Sequence, residues 1–74
     1  MRRSYENIRN PEHLDNIRKE YQQRVDNHTK IMTKLEREKS PGWTKAYEAY
    51  ATTRAHFIEQ IAAINAQLEE LART

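Results

Sequence analysis

His13, His28 and His56, together with Arg24 and Arg54, are the side chains of this 74-residue sequence whose types could support chemistry. A metal site on a helix needs ligands that share one face, as in histidines four residues apart or the Glu-x-x-His pattern of di-iron bundles. Neither spacing occurs. His56 and Glu59 share a face, but no third ligand joins them, so no metal is expected. A phosphate-cradling loop needs several glycines, and the chain has one. Serine occurs only at Ser4 and Ser40, neither in a nucleophile elbow, and there is no cysteine to act as nucleophile, thiolate ligand or disulfide partner. Asn27-His28-Thr29 matches a glycosylation sequon, but no export signal precedes it. The sequence therefore predicts no enzyme, no cofactor and no small-molecule substrate.

Arginines inside a helical bundle can hold a dianion, as in enzymes of the chorismate mutase type. Arg24 and Arg54 would be a beginning, but the further core cations at fixed spacing are missing. What these two arginines share with His28 is position. They belong to helical stripes, and the elements carrying those stripes decide where they meet.

The elements are legible because the breakers are few. Pro11, Pro41 and Gly42 are the only prolines and glycine, and between them run stretches rich in Glu, Lys, Arg, Gln, Ala and Leu, the residues that lose least on entering a helix. Asn10 can cap a first helix with Pro11 at its first position and Glu12 against the positive end of the dipole. Leu14, Ile17, Tyr21, Val25, His28, Ile31 with Met32, and Leu35 then recur at helical spacing. Pro41 disfavours helical geometry at Ser40, which predicts a helix over 11–39 and a turn at 40–42. Either Ser40 caps the next helix, or Gly42 closes the first and the next begins near Trp43. The second helix, 43–73, carries Trp43, Tyr47, Tyr50, Arg54, Phe57, Ile61, Ile64, Leu68 and Leu71 in steps of four and three. This is an a/d seam interrupted only by Arg54, with Ala46, Ala51, Ile58 and Ala72 widening the stripe.

The expected fold is all-α: a two-helix antiparallel hairpin over residues 10–74, preceded by a flexible basic arm at 1–9. A short connection makes the helices antiparallel neighbours. The register then sets Leu35 near Tyr47, His28 near Arg54, Tyr21 near Ile61 and Leu14 near Leu68. Arg24, His28 and Arg54 gather near the middle, as a polar layer that fixes register. A lone hairpin leaves the flanks of both stripes wet, and chains of this size seldom hold together without disulfides, metal or oligomerisation. The sequence thus predicts a homodimer forming a four-helix bundle through Leu14, Ile17, Tyr21, Ile31, Leu35, Tyr50, Phe57, Ile61, Ile64, Leu68 and Leu71.

Two surfaces remain for partners. Trp43 and Tyr47, rimmed by Lys39 and Lys45, form an aromatic tip suited to anchoring a protein, since Trp, Tyr and Arg dominate interface hot spots. Residues 1–40 carry ten Lys/Arg against seven Asp/Glu, whereas residues 41–74 carry three against four. Arg2, Arg3 and Arg9 in the arm and Lys30, Lys34 and Arg37 on the first helix could hold phosphates, with intrahelical pairs such as Lys34–Glu38 and Asp26–Lys30 absorbing part of their field. A net charge of +2 is weak for a dedicated nucleic-acid binder. The leading expectation is a non-enzymatic protein–protein interaction module, regulatory or inhibitory, in the style of small phage or mobile-element accessory proteins. A nucleic-acid-binding accessory protein is the alternative. No apolar run reaches the ~18–20 residues of a membrane span and the N-terminus lacks an apolar signal core, so the cytoplasm is the expected location.

Overall fold

Asn10 sits in extended geometry and its side-chain Oδ1 accepts from the Glu12 backbone N–H at 3.0 Å. That bond satisfies one of the free amides of a new helix, and Pro11 at the first position has no amide to satisfy. In the computed structural model, which describes Tyr5 and residues 7–73, helix α1 accordingly runs Pro11–Glu38. The chain then closes at Lys39, which adopts left-handed geometry (φ 49°) and donates its amide to the Leu35 carbonyl at 2.8 Å. Two arrangements were expected at this turn, Ser40 capping the second helix or Gly42 closing the first, and the closing role falls to Lys39 instead. Because Pro41 pushes Ser40 out of helical geometry, α1 must be capped one residue earlier, and Lys39 takes the left-handed position. Gly42 holds a second positive φ (81°), immediately before helix α2, Trp43–Arg73. The Trp43 amide donates back to the Ser40 carbonyl at 2.9 Å.

The two helices pack antiparallel as a hairpin, with no strand among the described residues. Every member of the α2 seam, Trp43 through Leu71, is at least half-buried, including Arg54. On α1 the expected stripe is covered likewise except at Ile31, which is 37% exposed. The register also agrees in its middle: the Arg54 Nε donates to Thr29 Oγ1 at 2.7 Å, one residue from His28.

The arm departs from expectation. Tyr5 is buried and forms one cluster with Leu14 and Ile64, and Ile8 packs against the same cluster beside Ile17, Tyr21, Ala63, Leu68 and Leu71. The segment expected to be free therefore lies on the hairpin at Tyr5 and Ile8. Leu14 explains why. It occupies the fourth helical position, where an apolar residue ahead of the cap commonly packs across a helix start, and Ile8 and Tyr5 do so here. The result is a slab 52 × 22 × 15 Å, three segments thick only at the end away from the turn.

Candidate interaction surfaces

At the middle of the hairpin, the expected polar layer forms but is spent on internal contacts. His28 is half-buried, edge-on to Tyr50 (ring centroids 5.4 Å) and Phe57 (6.0 Å). Its Nδ1 lies 2.7 Å from the Arg24 carbonyl. A carbonyl only accepts, so Nδ1 carries the proton and donates. Arg24 itself is exposed. Its guanidinium stacks 5.6 Å above the Phe57 ring while Nη2 pairs with Glu20 at 3.2 Å. Arg54 is spent on Thr29. Each polar group in this layer has a partner within the hairpin, which suits a register lock.

The open end contains what the sequence reading missed. Gln60 is only 6% exposed and its Oε1 accepts from the Tyr5 hydroxyl at 2.8 Å, across fifty-five residues of chain. The Gln67 side-chain Nε2 donates to the Ile8 carbonyl at 3.0 Å. Gln60 and Gln67 stand seven residues apart, hence on one flank of the α2 seam, and together they hold the N-terminal segment along that flank. The two glutamines at heptad spacing were the available signal. The docked segment changes the status of the residues expected to self-associate. Leu14 and Ile64 are 0% exposed inside a single chain, so they offer a second copy nothing. Ile17, Tyr21, Leu35, Tyr50, Phe57, Ile61, Leu68 and Leu71 are half-buried between the helices. The large apolar side chains left most open are Ile58, at 41%, and Ile31. Ile58 lies with Ala51 and Asn65 on the side of the α2 seam away from the glutamines.

At the turn end, Trp43 and Tyr47 pack edge to face, with ring centroids 5.9 Å apart and an interplanar angle of 82°. They are half-buried, and they line an open depression of about 280 Å³ together with Glu36, Thr44 and Glu48. Lys39 and Lys45, the expected rim, are exposed and do not line it. The expectation placed cations beside the rings because they are neighbours in sequence. On the folded hairpin the residue facing Trp43 and Tyr47 from α1 is Glu36, and the one a helical turn on from Thr44 is Glu48.

The expected intrahelical pairs Lys34–Glu38 and Asp26–Lys30 do not form. Asp26 instead accepts from Gln22 Nε2 at 3.1 Å, and exposed pairs of long side chains gain too little to hold one geometry. Ion pairs among the described residues join Asp15 to Arg18 and to Lys19 (3.1 Å) and Glu20 to Arg24. Hydrogen bonds from Lys19, then from Arg18, hold the Asp15 carboxyl below the usual carboxylate range. Since that value is lowered by folding, the contribution is complete above the ordinary carboxylate value and fades as pH falls through the lowered one. Arg9, Lys30, Lys34 and Arg37 are exposed. Arg2 and Arg3 lie outside the described residues.

Among the described residues no group of three His, Asp or Glu side chains could hold a metal ion, and no helix is long and apolar enough to cross a membrane. Compared with known proteins, the chain matches no family model, no curated sequence and no solved structure.

Proposed function

We propose that the chain is a non-enzymatic interaction module that works as a homodimer, two hairpins closing into a four-helix bundle. The observation that carries this reading is surface area. The single chain exposes 5874 Å². A compact monomer of 8.9 kDa is expected to expose about 4,800 Å², roughly 1,100 Å² less. Each partner in a stable protein interface covers about 800 Å², so the excess is of the size that one self-association would remove. The N-terminal segment already occupies the Gln60/Gln67 flank. The second copy therefore goes to the other side of the seam, where Ala51 and Ile58 are apolar and Ile58 is open.

Light scattering coupled to size exclusion tests this directly. At micromolar concentration the mass should be twice that of one chain, and Ile58→Glu should return it to one chain with helicity kept. A monomeric, fully helical native chain overturns the proposal. The unpaired Lys30, Lys34 and Arg37 stripe supports a nucleic-acid accessory role as the second reading. Binding to duplex or single-stranded oligonucleotides that survives physiological salt, and weakens steeply as salt rises, would favour it over a protein partner.

A further inference from the structure

The depression at the turn end is built from three kinds of group that recognise the same chemistry. Trp43 and Tyr47 supply two nearly perpendicular aromatic walls. Glu36 stands on the α1 side and Glu48 on the α2 side of the same hollow, and Thr44 adds a hydroxyl. Among the described residues neither glutamate belongs to an ion pair, although Arg37, Lys39 and Lys45 are near in sequence. The chain as a whole is positive, so a cation is not drawn to it at large. The negative charge is local, and it lies beside aromatic rings.

We propose that this hollow takes an arginine side chain presented by a partner protein. A planar guanidinium stacks on an aromatic face and offers a fork of N–H donors along its edge, which suits a perpendicular second wall and carboxylates on two sides. A lysine ammonium would use the charge but not the plane. A free small cation would be poorly covered, because the hollow is open and small-molecule sites enclose most of their ligand. An arginine anchored in a polypeptide does not need that enclosure, since the flanking chain covers the rim, where Trp and Tyr are the residues that carry binding energy. This rests on reading the chain as an interaction module and names the chemistry of its partner. It does not require the dimer.

Trp43 is the single tryptophan of the 74-residue chain, so its emission reports on the hollow in the whole chain. The probe is an eight-residue peptide with one central arginine and no acidic residue, compared with the same peptide carrying citrulline, which keeps the shape and removes the charge. The expected result is a saturable change in Trp43 emission with the arginine peptide, and binding about tenfold weaker with the citrulline peptide. The Glu36→Gln/Glu48→Gln double variant should weaken the arginine peptide by a similar factor while leaving circular dichroism unchanged. Equal response to both peptides overturns the proposal, as does unchanged affinity in the double variant. Saturation by tetramethylammonium at the same concentration overturns the assignment to an arginine. Mass is read on the same samples. A dimer that ignores both peptides sinks this inference and leaves self-association standing, and a monomer that binds the arginine peptide does the reverse.

Discussion

At the open end of the hairpin, Tyr5 and Ile8 lie over the groove between α1 and α2, and Leu14 and Ile64 beneath them lose contact with water. At the turn end no third segment arrives among the described residues, Leu35 stays half-buried, and Trp43 and Tyr47, half-buried too, line an open hollow. The difference between the two ends is one of cover. Two helices share one seam, and the flanks of that seam become interior only where something else lies across them. Where the chain supplies that cover itself, the side chains are stability. Where it does not, they are surface available to a partner.

The largest test of this contrast is a pair of truncations. Leu14→Ala should cost about 2–5 kcal/mol, because a fully enclosed leucine leaves a cavity as well as lost burial. Leu35→Ala at the other end should cost about 1 kcal/mol, since a half-exposed side chain forfeits only part of its transfer energy. Urea unfolding at one fixed protein concentration measures both, and equal losses would erase the distinction between the ends. Next in size is Tyr5→Phe. It keeps the ring in the cluster and removes the hydroxyl that donates to Gln60, leaving a buried acceptor unsatisfied at a cost of about 1 kcal/mol. The same denaturation curves report it, and no change would mean that the Tyr5–Gln60 bond adds nothing to the packing of Tyr5 and the Gln67–Ile8 bond in holding the segment. The smallest effect has the opposite sign. Lys39 is a non-glycine residue in left-handed geometry, so Lys39→Gly should stabilise by about 0.5 kcal/mol, read as a rise in thermal midpoint. A gain there would mark the connection as strained, and no change would leave missing cover as the source of the looseness at the turn end.

Much of the architecture was legible from local pattern. The step-of-three-and-four run from Trp43 to Leu71 marks a face, and that face is the one the hairpin covers. Asn10-Pro11 and Pro41 mark the helix limits to within a residue. Less was legible about the surfaces. Tyr5 and Ile8 read as part of a basic arm because Arg2, Arg3 and Arg9 surround them, and charge along a segment says nothing about a groove that forms only after folding. The rim of the aromatic hollow was assigned to Lys39 and Lys45 by adjacency in sequence, whereas adjacency across the hairpin selects Glu36, and helical spacing from Thr44 selects Glu48.

By itself, then, the sequence determined two helices, where they turn and which stripe of each faces the other. Those properties follow from backbone propensity and a period of 3.6, both settled within a few residues of chain. Tertiary structure alone decided which flank of the seam is covered, that Gln60 is interior, and that the aromatic end is lined by carboxylates. Each of these depends on groups brought together across the turn or from opposite ends of the chain; the heptad spacing of Gln60 and Gln67 marks one flank but does not say what covers it.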